Sequence, residues 1–439
     1  MSWQHSADDV AQTAAGLSAF LDASPTPFHA VSESANRLKA IGFVEVDEAG
    51  PTPPAPGRYF VARGGSILAW STEHLGDERP SGFRVVGAHT DSPNLRIKPA
   101  ADAMKSGWHT LGVERYGGAL LNSWLDRDLG IAGRAVIRTS HGRIIEQLFN
   151  FDEALLRVSQ LAIHLDREVA TKGLNLNPQQ HMAPHWALGP GGPTFLEWLC
   201  NELGIATKDL LGWEAMAYDL TPARRLGRDS DLLASGRLDN LATCYASLVA
   251  MERAVAAPTD GIIPLIVMFD HEEIGSVSER GAGSTFLPTW LERIACANGA
   301  SRDEYFAFLA GSVIASGDVT HATHPHYPDR HEPQHNIAMN GGPVLKVNAN
   351  VRYATDSVGA ASFTLACEQA GVPMQTFVTR TDLPSGSTIG PMTAAMTGVT
   401  TVDFGAPTLS MHSAREVCGL DDQVGYSAAL HAFLAPQHS

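Results

Sequence analysis

From Ser235 onward the sequence alternates between apolar runs and helix-like stretches, and this alternation limits the possible folds more than any other feature. Residues 241–255 read as helix. Residues 262–269 form a continuous apolar strand, of the kind buried on both faces of a sheet. Helices follow at 286–297, 303–308, 356–369 and 389–396, with strands at 375–379 and 399–404. Strand–helix repetition on this scale predicts an α/β fold: a three-layer sandwich around a mainly parallel sheet.

The upstream half reads differently. Residues 8–22 and 26–41 are helix-like, the second stretch carrying Pro27 in its first turn. A Pro-rich linker spans 50–57, and strand-like runs follow at 66–70 and 83–88. From about residue 97 the texture shifts to short alternating segments such as 135–139. A loop rich in Pro, Gly and His runs over 175–193, and the stretch closes on polar residues 224–231. With 439 residues the chain exceeds the usual size of one core. The expected division is a domain of residues 1–97 and 235–439, interrupted by an inserted, β-rich domain of residues 98–234.

Composition excludes several classes. A net charge of −16 argues against a nucleic-acid surface. No apolar run approaches the ~18 residues of a membrane span, and residues 1–10 lack the basic and apolar regions of a secretory signal. The five cysteines, Cys200, Cys244, Cys296, Cys367 and Cys418, are odd in number and widely spaced. They suit a reducing cytoplasm better than a disulfide framework or a thiolate zinc site.

Candidate chemistry gathers where strands end, which is where open α/β sheets bind ligands. Strand 83–88 runs into His89-Thr90-Asp91. Strand 262–269 runs into Asp270-His271-Glu272-Glu273. An apolar run precedes Asp318, and strand 399–404 is followed by a loop carrying His412. A metal-bound imidazole commonly gives its second N–H to a carboxylate, so Asp91 suits a partner of His89; a plain turn explains the same residues. Adjacent Glu272 and Glu273 repel unless a cation is near, and one could bind it while the other moves a proton; a solvated acidic loop is the alternative. Asp239 is either a helix N-cap or a carboxylate shared between cations. His324, His326, His331 and His335, after Asp318, read mainly as loop hydrogen-bonders. Ser385 and Gly386 could bring backbone N–H groups to a substrate at a helix start. Neither a Gly-x-Ser-x-Gly elbow nor a Walker-type phosphate loop is present.

Nine segments, in order, resemble the aspartyl aminopeptidase family within the co-catalytic two-zinc aminopeptidases. They are GAHTDSPNLRIKP from Gly87, WLDRDLGIAGR from Trp124, LAIHL from Leu161, SGRLDNL from Ser235, FDHEEIGS from Phe269, SGDVTHATHPHY from Ser316, GPVLKVNANVRYAT from Gly342, PSGSTIGP from Pro384 and SMHSAREV from Ser410. The resemblance implies two divalent ions per subunit, zinc first, with cobalt or manganese possible. His89, Asp239 and Asp318 would hold one, and Asp239, Glu273 and His412 the other. Glu272 would be the general base and Asp91 the residue that orients His89. The inserted domain would mediate dimerisation within a tetrahedral dodecamer, with His164 reaching a neighbour's active site. The implied substrates are peptides with N-terminal Asp or Glu, and Lys346 is the candidate cation for that side chain. One departure is His271, where the family commonly has Asn. Rival readings are a deacylase or carboxypeptidase on the same site, and a non-catalytic self-assembling cage or binding protein.

Overall fold

A computed structural model describes residues 5–75 and 80–437. The first four residues of the stretch read for a secretory signal lie outside them. The chain forms two compact units: Met1–Asp91, Ala223–Met411 and Glu416–Ser439 make the first, Ser92–Pro222 and His412–Arg415 the second.

The first unit is built on a nine-stranded sheet. In order across the sheet, its strands are Val44–Glu45, Arg58–Arg63, Ser66–Ser71, Ile262–Phe269, Gly82–His89, Val313–Gly317, Thr400–Gly405, Val344–Val347 and Gln375–Val378. The four central ones, from Ile262–Phe269 to Thr400–Gly405, are mutually parallel. Antiparallel pairing enters on either side, through Ser66–Ser71 and Val344–Val347.

Strand alternation divides the core in two. Val86, Ala88, Ile266 and Met268 face the helices Ala7–Asp22, Pro27–Ala40, Leu238–Ala256, Ser357–Ala370 and Leu420–Leu434. Phe83, Val85, Leu265, Val267 and Phe269 face Phe286–Ala297 and Arg302–Ala310. The three-layer α/β sandwich follows directly from this period of two. Thr26 caps the second helix with its hydroxyl, and Pro27 takes the first helical position. Residues 50–57, the Pro-rich linker, carry no regular element.

A smaller five-stranded sheet also belongs to this unit. It runs Arg224–Leu226, Leu232–Ser235, Glu416–Gly419, Pro407–Leu409, Thr320–His321. The polar stretch from Arg224 therefore begins as a strand, because Arg224 pairs with Ala234 across the turn.

The second unit is a six-stranded sheet, antiparallel at each pairing, over a core that includes Leu95, Leu111, Ile131, Phe195 and Ala217. The supposed loop at 175–193 contains the short helix Pro178–His181 and the strand His185–Leu188, which pairs with Trp108–Tyr116. The expected boundaries at 97/98 and 234/235 fall within the strands Asn94–Lys105 and Leu232–Ser235.

Candidate metal centre

Three of the four central parallel strands end in acid- or His-bearing residues. His89 is the last residue of Gly82–His89, Asp318 follows Val313–Gly317, and Asp270 to Glu273 follow Ile262–Phe269. Register places Phe269 opposite His89, so these ends lie level across the sheet.

His89 is 1% exposed. Its Nε2 stands 3.2 Å from Oδ1 of Asp239 and 3.6 Å from Oδ1 of Asp318, while its Nδ1 faces the Asp91 backbone carbonyl at 3.0 Å and the Asp91 carboxylate at 3.4 Å. Burial opposes charge on this ring, but the carboxylates of Asp239, Asp318 and Asp91 outweigh it and hold its pKa well above the usual value. The facing ligand atoms of His89, Asp239 and Asp318 lie within 4.8 Å of one another, as do those of Asp239 and Glu273.

Asp239 does not cap its helix. It falls inside the span Leu238–Ala256 with non-helical angles (φ −81°, ψ 103°), after Arg237 in the left-handed region. Its N–H donates to Oε2 of buried Glu416 at 3.0 Å. Glu416 was not singled out from the sequence; its position in the strand beside Leu232–Ser235, across from Ser235, is visible only in the fold.

Asp91 is fully buried and does more than face His89. Its Oδ1 accepts from the N–H of Glu272 and its Oδ2 from that of Glu273, both at 3.1 Å. The two glutamates therefore leave a backbone turn fixed by a third carboxylate. Burial pushes the Glu272 carboxyl up to about 8; His89 pulls it down, and Asp318, Asp91 and Asp239 push it further up.

Lys346 lies on an interior strand of the large sheet and is 3% exposed. Its Nζ stands 3.5 Å from Oδ2 of Asp318 and 5.5 Å from the centre of the Tyr353 ring. Burial opposes its charge, but Asp318, with Tyr353 and Asp403 behind it, raises its pKa. Tyr353 also lines a cavity of about 310 Å³, together with Phe377, Arg380, Ser385 and Gly386. Ser385 Oγ accepts from Thr379 Oγ1 at 3.1 Å.

His412 belongs to the short segment grouped with the second unit; its φ is 66° and its Nδ1 lies 3.3 Å from the Gly118 carbonyl. His164 is exposed in the same unit. The histidines after Asp318 make no three-residue metal cluster among the described residues. Instead the His324 N–H donates to His331 Nε2 at 3.1 Å, and the His326 N–H to His324 Nδ1 at 3.2 Å.

The donor set fits a divalent cation. Asp318 Oδ1 is buried, and the donor facing it, His89 Nε2, stands beyond ordinary hydrogen-bond length. Carboxylates gathered this closely out of water repel strongly unless a cation compensates them. Imidazole nitrogen with carboxylate oxygen is a donor mixture that zinc, cobalt and manganese accept.

Residues 20–434 match the model of a protein family described as aminopeptidase I zinc metalloprotease (M18). A probable M18 family aminopeptidase 2 of Mycobacterium bovis is 49% identical over 435 residues, which cover 98% of this chain and all of the relative. The cryo-EM structure of an Ape4 and Nbr1 complex contains a chain that superposes with a TM-score of 0.91 at 35% identity, covering 98% of this chain and 87% of that one. A dodecamer of mApe1 from S. cerevisiae gives a TM-score of 0.82 at 25% identity, covering 96% of each chain. With the fold and the buried ligand cluster, these similarities place the chain in the M18 family: it is a metalloaminopeptidase of the zinc metalloprotease class.

Proposed function

We propose that this aminopeptidase prefers peptides with N-terminal Asp or Glu and works with two divalent ions per subunit, zinc in the first place and cobalt or manganese as substitutes. The observation that carries this reading is the buried ammonium of Lys346 beside Asp318, where an acidic side chain could be recognised close to the chemistry. The cavity lined in part by Tyr353, Ser385 and Gly386 supports an approach for the peptide, since the Tyr353 ring lies 5.5 Å from the Lys346 ammonium.

In the proposed assignment His89, Asp239 and Asp318 hold one ion, and Asp239, Glu273 and His412 hold the other. What zinc supplies in such a site is Lewis acidity, which lowers the pKa of a water towards ~7 and polarises a carbonyl. The chain's own residues do the rest. Glu272 takes the proton of the attacking water and returns it to the leaving amine, its backbone N–H held by Asp91 beside the cluster. Asp91 orients His89 and fixes the Glu272–Glu273 turn. Carboxylates of the cluster, beside one of the ions, would hold the free α-amine of the substrate, which would restrict cleavage to the first peptide bond.

By the same reading the subunits form dimers through the inserted domain and assemble into a tetrahedral dodecamer, with His164 entering a neighbour's site. The dodecameric mApe1 relative supports this. The five free cysteines support a reducing, cytoplasmic location.

The test is a panel of Asp-, Glu-, Ala- and Leu-anilides alongside N-acyl amino acids, run with each metal. The acidic anilides should show the highest kcat/KM. Preference for Ala or Leu would overturn the acidic specificity, and turnover of N-acyl amino acids alone would favour a deacylase on the same site.

A further inference from the structure

We propose that His271 is a positioning residue for the Glu272–Glu273 turn, acting through a left-handed backbone and a side-chain tether to Ser278. The proposal rests on the reading of Glu272 as the base.

His271 has φ 67° and ψ 20°. That region is sterically costly for a side-chain-bearing residue and is held only where the surroundings demand it; Asn, Asp and His enter it more readily than most. The demands here are explicit. The His271 N–H donates to Asp270 Oδ1 at 2.9 Å, and its carbonyl accepts from the Ser276 N–H at 2.8 Å. Its Nδ1 and the Ser278 hydroxyl are 2.8 Å apart, and its Nε2 is 3.6 Å from Asp270 Oδ2. Asp270 is itself fully buried, packed so closely on the hairpin turn at Gly65 that a Cβ there would sit 2.3 Å from its carboxylate.

Beyond the two glutamates the loop has little apolar support. Ile274 is 55% exposed and Val277 83%. The loop is therefore closed at its base by polar contacts: His271 to Ser278 on one side, and the Glu272 and Glu273 N–H groups to Asp91 on the other. A left-handed residue immediately before Glu272 sets the direction in which both glutamate side chains leave the backbone. Loss of the tether would let that direction drift, and displacements of about 1 Å at a reacting group cost on the order of 100-fold in rate.

The experiment compares His271→Leu, His271→Asn, Ser278→Ala and the Leu/Ala double variant in metal-loaded enzyme, using whichever anilide the wild type cleaves fastest. His271→Leu and Ser278→Ala should each lower kcat by about 10- to 100-fold with KM within about threefold, the double variant being no worse than the worse single one. His271→Asn, which tolerates the left-handed region and keeps a polar side chain, should recover most of the rate. Equal damage from Asn and Leu, wild-type kcat in Ser278→Ala, or multiplicative losses in the double variant would overturn the proposal. If His271→Leu fails to fold, Ser278→Ala and His271→Asn still decide it. Glu272→Gln is run in parallel: wild-type turnover there removes the base reading, whatever the His271 variants do.

Discussion

The ammonium of Lys346 lies 3.5 Å from the distal oxygen of Asp318, and both side chains are buried. Lys346 thus faces a proposed metal ligand. Lys346→Ala should reduce kcat/KM for Asp- and Glu-anilides by at least about 10-fold more than for Ala- and Leu-anilides, since an unpaired buried carboxylate is costly. An equal loss on all four would reassign Lys346 to support of Asp318 alone.

Removing the metal should abolish activity and also weaken the fold, because the carboxylates around His89 then lose their compensating charge. Ligand linkage predicts about 3 kcal/mol of stability from an ion present at 100 times its Kd. Calorimetry with and without chelator, followed by zinc, cobalt or manganese addition, measures both effects. A chelator-resistant activity would contradict the metal assignment.

Asp91 joins His89 to the Glu272–Glu273 turn. Asp91→Asn keeps the size but turns one acceptor into a donor facing an N–H. Metal affinity should fall by about 10- to 100-fold, with kcat falling at saturating metal as well. Metal titration and steady-state rates on one preparation separate the two, and an unchanged kcat at full occupancy would confine Asp91 to His89.

The assignment of His164 to a neighbour's site predicts complementation. His164→Phe and Glu272→Gln should each be inactive alone. Co-assembled at equal ratio, they should recover roughly a quarter of the wild-type rate, the statistical share of sites with intact residues from both subunits. If His164 served its own chain, mixing would restore nothing.

His29 offers a pH test away from the site. Burial, with Arg237 adding to it, lowers its pKa from 6.5 to about 4. The ring stays neutral in the fold while the unfolded chain takes up a proton first. Its contribution is therefore complete above about pH 6.5 and declines as the pH falls towards 4. At pH 5 the loss relative to pH 7.5 should be about 1–2 kcal/mol. In metal-free protein, denaturant midpoints of His29→Gln should lack that increment; parallel pH profiles would contradict it.

The sheet was legible because its strands are long apolar runs: Ile262–Phe269 appears with its expected bounds, and the strand before Thr90 extends by one residue at each end. The ligand candidates were legible as residue types at strand ends, though separate posts for them came from the family resemblance. What stayed hidden depends on non-local contact. Asp239 could be read as a helix cap or as a carboxylate shared between cations, and only the backbone of Arg237 and Asp239 shows it turned out of the helix. Glu416 and the pairing of Lys346 with Asp318 join residues far apart in the chain. The strand at Arg224 was obscured by polar composition, since its pairing with Leu232–Ser235 is stabilised by backbone hydrogen bonds that composition does not register.

The order of the central strands has a consequence for a newly made chain. Gly82–His89 is flanked by Ile262–Phe269 and Val313–Gly317, which leave the ribosome long after it. Until then the His89 strand has neither parallel neighbour, and non-local pairings of this kind form slowly. Nascent and truncated chains that end before Val313–Gly317 therefore lack the assembled ligand cluster, so peptide-cutting ability waits on the late part of synthesis.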